Sequence, residues 1–412
     1  MKKTVLQYNN QFADIVLQKG INLKKGQSVM IKSSPLNYDF AQTLAKRAYE
    51  TGAAYVLIDL QDNLLVRARI DNQDAQQLTY IPQFVRNMQY EALAEDWAYI
   101  RIDNTDDRDQ LEGVDTELLS SYQGEVRKNS STLRGSFMRH EHAWCVVCVP
   151  GPKWAKQVLG NDATVADLYE VLLPILRLDQ EDPIAAWDAH ARRLGVICEK
   201  LNAKKIRSFH YEDPKTGTDF TVGFSKLAVW LGGPKDLPSG RPYFPNIPTE
   251  EVFTVPERLQ AEGTLVTTKP VTIFGSQVDG CRFTFKDGKV TDYSAEKGYE
   301  ILKRFIETDE GAAYIGEIAL VDKNTPIAMS DQTFHSILFD ENAASHFALG
   351  AGYPDCLSNG KTLDSPESLR SAGCNTSMLH TDFMIGSPTM KITAETFDGN
   401  TLEIMKDGTI LI

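Results

Sequence analysis

Residues 340–353 read DENAASHFALGAGY, and this stretch carries the strongest chemical pattern of the chain. Glu341 and His346 lie five residues apart in it, ahead of a glycine-rich turn. Shortly afterwards, His380 and Asp382 interrupt the apolar run MLHTDFMIG. The sequence contains seven histidines, and two of them therefore fall here beside acids. Because neutral imidazole and carboxylate oxygens are the ligands that Zn²⁺, Co²⁺ and Mn²⁺ share, the stretch predicts a metal site.

Length and composition indicate a globular protein of two domains. The 412 residues are too many for one ordinary core. Hydrophobic and charged fractions of 42% and 24% are those of a folded, soluble chain. The longest apolar runs fall far short of the roughly 20 residues that a membrane span needs, so no membrane association is expected. The first residues also lack an apolar stretch long enough for a signal peptide.

Cysteine content and net charge indicate the expected cellular location and the class of partner. Six cysteines in a chain of this size predict reduced thiols and a cytoplasmic location rather than a disulfide scaffold. The net charge of −13 argues against a nucleic-acid partner, because the sequence has no basic stripe to neutralise phosphates.

The first half of the chain alternates helix-like and strand-like segments. Short apolar runs such as SVMIK, AAYVLIDL, AYIRID and HAWCVVCV are typical of buried strands, and amphipathic segments such as residues 39–52 separate them. Strands joined through helices imply right-handed crossovers and parallel pairing. The pattern therefore predicts an α/β domain with a largely parallel sheet over residues 1–185. Residues 105–139 are polar and charged and indicate no clear element.

Beyond residue 185 the sequence changes to a pattern of hairpins. Asp-Gly pairs lie between alternating or β-rich segments at 279–280, 287–288, 398–399 and 407–408. The clearest single hairpin is CRFTFKDGKVTDY. These features predict a mixed α+β, mainly antiparallel domain over residues 186–412, and this domain contains the candidate metal ligands.

Carboxylates in apolar surroundings supply further candidates. Glu250 and Glu251 lie in the proline-rich segment RPYFPNIPTEEVFTVP. Because neighbouring side chains of an extended chain point to opposite faces, only one of the two can enter a given site. Glu317 is the single carboxylate of the apolar strand AAYIGEIALV, and burying it without a partner would be costly. A metal ligand or a protonated acid explains Glu317 better than a core residue does. The alternatives are a salt bridge for Glu317 and a plain acidic loop for the glutamate pair.

The histidine and aspartate of MLHTDFMIG are two residues apart in a predicted strand and therefore project from one face. Both can ligate one centre, or the aspartate can orient the histidine. With the carboxylates above, the candidate ligands are Glu251, Glu317, His346, His380 and Asp382, with Glu341 as a further acid of unassigned role. Three acids and two histidines suit a two-metal site, and the imidazoles favour Zn²⁺ or Co²⁺ over Ca²⁺. The sequence has neither the H-E-x-x-H helix of one-zinc proteases nor a G-x-S-x-G motif.

Four blocks of the sequence resemble a known family. In chain order they are NIPTEEVFTVP, YIGEIALV, DENAASHFALGAGYP and HTDFMIG, and they are similar to blocks of the thermophilic aminopeptidase family, which includes aminopeptidases T and S and the PepS-type aminopeptidases. The resemblance extends over the whole chain. It implies a two-metal exopeptidase with an α/β N-terminal domain, a homodimer whose active sites face an enclosed cavity, and peptide substrates with a free N-terminus. The ligands it implies are Glu251, Glu317, His346, His380 and Asp382. Tyr353 matches an active-site tyrosine of the family.

The expected chemistry is metal-assisted hydrolysis of an amide. Two divalent ions (Zn²⁺, Co²⁺ or Mn²⁺) would activate a shared water and polarise the scissile carbonyl. Glu250 is the candidate general base, and Tyr353 can donate a hydrogen bond to the oxyanion. The α-amino group of the peptide would pair with Glu250 or Glu341 or bind a metal directly. The alternative functions are another dinuclear hydrolase acting on an amide or a phosphoester, and a non-catalytic metal-binding protein.

Overall fold

The computed structural model describes residues 4–412, which divide into two compact units. The first unit runs to Trp187 and also contains Pro234–Pro248. The second consists of Asp188–Gly233 and Thr249–Ile412. The return of the chain to the first unit at Pro234–Pro248 has no counterpart in the sequence pattern.

The secondary structure is numbered here in chain order. The helices are α1 (Val5–Ile15), α2 (Tyr38–Thr51), α3 (Asn63–Asn72), α4 (Ala75–Leu78), α5 (Gln83–Ala94), α6 (Thr116–Asn129), α7 (Ser131–Met138), α8 (Pro152–Leu159), α9 (Val165–Ile175), α10 (Pro183–Ala203), α11 (Tyr299–Ile306), α12 (Pro326–Met329), α13 (Ile337–Asp340) and α14 (Pro366–Ser371). The strands are β1 (Val29–Ser33), β2 (Val56–Leu60), β3 (Ala98–Asp103), β4 (Trp144–Cys148), β5 (Ile206–Asp213), β6 (Thr218–Gly223), β7 (Leu231–Gly232), β8 (Lys235–Asp236), β9 (Pro242–Tyr243), β10 (Asn246–Ile247), β11 (Val252–Thr254), β12 (Ala261–Val266), β13 (Val271–Ile273), β14 (Ser276–Val278), β15 (Arg282–Lys286), β16 (Lys289–Ser294), β17 (Ile315–Leu320), β18 (His346–Gly350), β19 (His380–Met384), β20 (Lys391–Thr396), β21 (Thr401–Lys406) and β22 (Thr409–Ile410). Within residues 4–412, no helix combines the length and the apolar character needed to cross a membrane.

A parallel sheet organises the first unit. Its strand order is β10-β4-β3-β1-β2, and its neighbouring strands pair in parallel. Val29 and Ile31 of β1 are fully buried. Phe12 of α1 and Phe40 of α2 are also buried, and their ring centroids lie 5.5 Å apart. The predicted α/β domain with a largely parallel sheet is confirmed.

The sequence pattern does not predict the secondary structure of two parts of this unit. The edge strand β10 pairs with β4 through Asn246 and Ile247, and a two-residue strand is too short to show any periodicity. Residues 105–139, which indicate no clear element, contain α6 and α7. Asp115 caps α6 by accepting hydrogen bonds from the backbone N–H groups of its second and third residues, and no residue of Thr116–Asn129 is buried. Its apolar residues Leu118 and Leu119 are only partly buried, against a small cluster, so the apolar face of α6 is weakly marked in the sequence.

Antiparallel sheets form the second unit, as the hairpin pattern predicts. The larger sheet has the order β16-β15-β12-β6-β5-β20-β21-β22, and the sheet that concerns the site has the order β19-β18-β17-β11-β7. Asp-Gly pairs turn the chain between β15 and β16, between β20 and β21 and between β21 and β22. The pair at 279–280 does not form a hairpin, because β14 and β15 lie in different sheets and Asp279 bridges to Lys297. The predicted mixed, mainly antiparallel domain is confirmed.

Aromatic rings pack one face of the β19-β18-β17-β11-β7 sheet against the larger sheet. Phe283 of β15 lies edge-on to Phe347 of β18 and Phe383 of β19, with ring centroids 5.6 and 5.0 Å apart. All three side chains are fully buried. Because successive side chains of a strand alternate between faces, the neighbours of Phe347 and Phe383 in the sequence point to the opposite face.

Candidate metal centre

Strand register places four of the predicted ligands on that opposite face. β18 pairs with both β17 and β19, and in this register Glu317, Ala348 and Asp382 lie opposite one another. His346 precedes Ala348 by two residues, and His380 precedes Asp382 by two, so both histidines share the face. The small side chain of Ala348 leaves room between the two carboxylates.

Glu251 reaches the same face from the neighbouring strand. β11 pairs antiparallel with β17, where Phe253 lies opposite Ala319, and Ala319 in turn lies opposite His346. Glu251 is two residues before Phe253 and therefore shares its face. Oε2 of Glu251 lies 3.1 Å from Nε2 of His346.

The five side chains form two groups that share Glu317. One group contains Glu251, Glu317 and His346, the other contains Glu317, His380 and Asp382, and within each group the ligand atoms lie within 4.8 Å of one another. Oε1 of Glu317 is 3.9 Å from Nε2 of His346, whereas Oε2 is 3.5 Å from Nε2 of His380. Nε2 of His380 is also 3.4 Å from Oδ1 of Asp382. Each oxygen of Glu317 thus faces a different histidine, as in a carboxylate that bridges two ions.

Backbone carbonyls orient both imidazoles. Nδ1 of His346 lies 3.1 Å from the carbonyl oxygen of Ala344, and Nδ1 of His380 lies 2.7 Å from that of Ala351. A carbonyl oxygen can only accept a hydrogen bond, so the proton of a neutral ring is on Nδ1. In the neutral ring, Nε2 of each histidine therefore carries the lone pair that a metal ligand requires, on the side of the carboxylates.

The charges of the centre are those of a cation-binding site. Burial lowers the pKa of the His346 imidazole, but the hydrogen bond to Glu251 and the negative charges of Glu251 and Asp382 together raise the pKa to about 9. Burial also opposes the charged form of His380, but the charge and hydrogen bond of Asp382, together with the hydrogen bond to Ala351, raise the pKa of His380. The carboxylates thus attract positive charge, and a divalent ion would displace the protons. Since Glu317 is 3% exposed and needs compensation, the donor set fits a divalent ion of the Zn²⁺, Co²⁺ or Mn²⁺ type.

Glu250, the predicted general base, is not part of this cluster. Its buried carboxylate lies 3.1 Å from Nη2 of Arg193 and 3.6 Å from Nε2 of His190, both on α10. Among the described residues, neither metal-ligand group contains Glu250. The physical reason is the alternation of the extended chain, which turns Glu250 away from the face that Glu251 enters. Glu250 as general base stays a prediction, and its carboxylate faces Arg193 and His190 rather than the predicted metal ligands.

Glu341 is the further carboxylate that the structure brings to the centre. Burial raises the pKa of its carboxyl well above the usual range, and the charges of Asp382 and Glu251 raise that pKa further. These two acids belong to different ligand groups, so Glu341 interacts electrostatically with both groups. The adjacent Asn342 secures this position. Its Oδ1 accepts a 2.7 Å hydrogen bond from the N–H of Glu250, and its Nδ2 lies 3.5 Å from Oε1 of Glu341.

Tyr353, the predicted active-site tyrosine, lies beside His380. Its ring centroid is 5.0 Å from that of His380 and 5.8 Å from that of Phe253. Burial raises the pKa of the phenol well above its usual range, and the charges of Glu317 and Asp382 raise that pKa further. The phenol therefore keeps its proton and is available as a hydrogen-bond donor.

The sequence pattern does not predict the roles of several residues around the centre. The carboxylate of Asp340 accepts hydrogen bonds of 2.7 and 3.0 Å from the N–H groups of Phe334 and Ser336 and so holds the loop that precedes Glu341. The sequence Asp-Glu-Asn at 340–342 could have indicated this turn, because short polar side chains at turns form hydrogen bonds with nearby backbone. Nothing in the sequence connects α10 with Glu250.

Paired triads of carboxylate and imidazole on one sheet face are typical of a metal-dependent hydrolase. The chain belongs to the thermophilic metalloprotease family (M29), whose sequence pattern matches residues 7–410. It is 37% identical over 402 residues to aminopeptidase 2 of Geobacillus stearothermophilus, covering 97% of this chain and 96% of the relative. It is 36% identical over 403 residues to aminopeptidase T of Thermus aquaticus, covering 97% of each. The structure of wild-type AmpT from Thermus thermophilus matches with a TM-score of 0.91 at 32% identity, over 99% of this chain and 100% of that one.

Proposed function

We propose that this metalloprotease is a two-metal aminopeptidase whose ions are held by the two groups that share Glu317. Glu251 and His346 would complete the protein ligands of one ion, and His380 and Asp382 those of the other. The observation that carries the proposal is the division of the two Glu317 oxygens between two histidines. The proposed ions are Zn²⁺, Co²⁺ or Mn²⁺.

The activity itself follows from the comparisons. Membership of the thermophilic metalloprotease family, together with aminopeptidase relatives that align over nearly the whole chain, confirms the predicted metal-dependent aminopeptidase. The homodimer, the cytoplasmic location and the enclosed cavity implied by the resemblance stay predictions.

The protein's own groups divide the work of hydrolysis. When bound, two divalent ions lower the pKa of a water molecule and polarise the peptide carbonyl. The positive charge of the bound ions would favour the ionised form of Glu341, which takes the proton of the attacking water and delivers it to the leaving amine as the C–N bond breaks. Tyr353 donates a hydrogen bond from its phenol to the carbonyl oxygen as that oxygen gains negative charge. The position of Glu341 beside both ligand groups supports this role for it in place of Glu250.

The metal requirement is tested by removing and restoring the ions. Prolonged dialysis against a chelator is expected to lower the rate in proportion to the metal removed, because the carboxylates and imidazoles alone cannot activate water at neutral pH. Adding Zn²⁺, Co²⁺ or Mn²⁺ should restore it, with full activity at two ions per chain. Metal content is followed by elemental analysis and rate by release of p-nitroaniline from leucine p-nitroanilide. Full activity of a sample with no measurable metal would overturn the proposal.

A free N-terminus is expected to be essential. The α-amino group has a pKa of about 8, so near neutral pH it is partly a cation that the acidic centre attracts, and when neutral it can bind a metal. N-acetylation removes both properties. We expect N-acetyl-leucine p-nitroanilide to be cleaved about 100-fold less well than the unblocked compound, a loss of about 2.7 kcal/mol of transition-state binding. Equal kcat/KM values would indicate an endopeptidase or a general amidase instead.

A further inference from the structure

The orientation of the His380 ring depends on the carbonyl group of Ala351. Nδ1 of His380 lies 2.7 Å from the Ala351 oxygen, and the N–H of Ala351 donates a 2.7 Å hydrogen bond to the carbonyl oxygen of Leu379. Ala351 follows strand β18 and stands between Gly350 and Gly352. Because glycine permits many backbone conformations, this turn does not by itself fix the direction of a carbonyl.

The side chain and backbone of Asn375 hold this turn on both sides of Ala351. Nδ2 of Asn375 donates hydrogen bonds of 2.6 Å to the carbonyl oxygen of Gly350 and 2.8 Å to that of Gly311. The backbone carbonyl oxygen of Asn375 accepts a 2.9 Å hydrogen bond from the N–H of Gly352. Asn375 is 1% exposed, so these hydrogen bonds are made where water does not compete for them.

The amide of Asn375 is itself held in one orientation. Its Oδ1 accepts a 3.0 Å hydrogen bond from Nε of Arg258, while both hydrogens of Nδ2 are donated to carbonyl oxygens. The Arg258 guanidinium lies 3.7 Å from the centroid of the Tyr314 ring, and its Nη2 lies 2.8 Å from Oε1 of Glu310. A buried amide with partners for both of its polar atoms is a rigid support for the backbone that it binds.

The same turn packs directly against the strand that carries Glu317. A Cβ atom at Gly316 would lie 2.4 Å from the carbonyl oxygens of both Gly350 and Ala351. The register between β17 and β18 shifts between Ile315 and Glu317, so Gly316 lies in a bulge next to the shared ligand. The turn therefore has no free space on that side, and Asn375 supports it from elsewhere.

We propose that Asn375 is a positioning residue for one of the two metal ions, the ion that His380 ligates. By fixing the Ala351 carbonyl, it holds Nε2 of His380 in the direction of that ion. The inference rests on the proposed two-metal function, and it adds a residue that acts through a ligand rather than as one. Since Nδ1 of His346 faces a different carbonyl, that of Ala344, the effect is confined to one ion.

The test measures the affinity of metal-depleted protein for each Zn²⁺ ion, by competition with a chelating indicator of known affinity. Asn375→Asp keeps the shape of the side chain and loses both hydrogens of Nδ2, so the Gly350 carbonyl loses its donor. One ion is expected to bind about 10–100-fold more weakly than in the wild-type protein, the usual effect of removing a group that orients a ligand. The other ion should keep its affinity.

Two further variants identify the affected ion and exclude an effect of charge. Asn375→Ala removes the same donors without adding a charge, leaves space that water can fill, and should weaken the same ion. Asp382→Asn is expected to retain only the ion of Glu251, Glu317 and His346. In that background, Asn375→Asp should leave the affinity for the retained ion unchanged.

Asn202→Asp is the matched control. Nδ2 of Asn202 also donates to a backbone carbonyl, that of Trp230 at 3.0 Å, and its Oδ1 accepts a 2.8 Å hydrogen bond from the Trp230 N–H. The control makes the same chemical change away from the Ala351 turn, and both affinities should stay at the wild-type values. Circular dichroism of each variant establishes that it is folded.

Three results would overturn the inference while the two-metal function stands. They are unchanged affinities in both Asn375 variants, equal weakening of the two ions, and a loss in Asn202→Asp as large as that in Asn375→Asp. Equal weakening would show that Asn375 only stabilises the fold. A wild-type protein that binds fewer than two Zn²⁺ ions would instead overturn the proposed function, and the inference with it.

Discussion

Replacement of Glu317 by glutamine is expected to remove both metal ions and to lower kcat by a factor on the order of 10⁴. Glu317 is the residue that the two ligand groups share, and its two oxygens face different histidines. Glutamine has the same shape but no charge, and its amide nitrogen cannot coordinate. Metal content per chain and kcat with leucine p-nitroanilide are measured on the same samples.

The matched comparison is a variant of a ligand that belongs to only one of the two groups. Asp382→Asn is expected to lose one ion and to keep the other, because the group of Glu251, Glu317 and His346 stays complete. Glu403→Gln, on the exposed surface of β21, should leave metal content and rate unchanged. If Glu317→Gln retains two ions, or loses no more metal than Asp382→Asn, Glu317 is not the bridging ligand.

Strand periodicity explains why so much of this centre could be predicted. Alternation along a strand places Phe347 and Phe383 on the face that packs in the core. It places His346 and Asp382 on the opposite face, where the candidate metal centre lies. The same alternation separates Glu250 from Glu251, which are neighbours in an extended segment. Each of these statements depends only on neighbouring residues, and local sequence suffices for them.

The parts that could not be predicted depend on contacts that are distant in the sequence. Glu250 is buried because α10 brings Arg193 and His190 to it, and no local pattern announces that pairing. Strand β10 exists because β4 offers an edge to it. Helix α6 is stabilised at its start by Asp115 and buries no residue of its own, so its sequence looks like a polar loop. Local rules thus predict faces and periods, whereas the partners of a residue depend on the whole fold.

The proposal that Glu341 rather than Glu250 is the general base can be tested with a matched pair of substitutions. Glu341→Gln is expected to keep both ions, because Glu341 belongs to neither ligand group of the described chain, and to lower kcat by about 10³-fold, the usual contribution of a general base. Since the amide cannot accept the proton of water, the loss should appear in kcat with little change in KM. Circular dichroism and metal analysis establish that the variant is folded and loaded.

Glu250→Gln makes the same chemical change at another buried glutamate. It should affect stability rather than kcat. It weakens the contacts with Arg193 and His190 and is expected to cost about 1–3 kcal/mol in the free energy of unfolding, measured by urea denaturation. Arg193 is half-exposed and can be solvated, so the fold survives, and kcat should stay within a few-fold of the wild-type value. The two variants thus separate stability from catalysis. A 10³-fold loss in metal-loaded Glu250→Gln would return the role of base to Glu250, and loss of metal from Glu341→Gln would make Glu341 a ligand rather than a base.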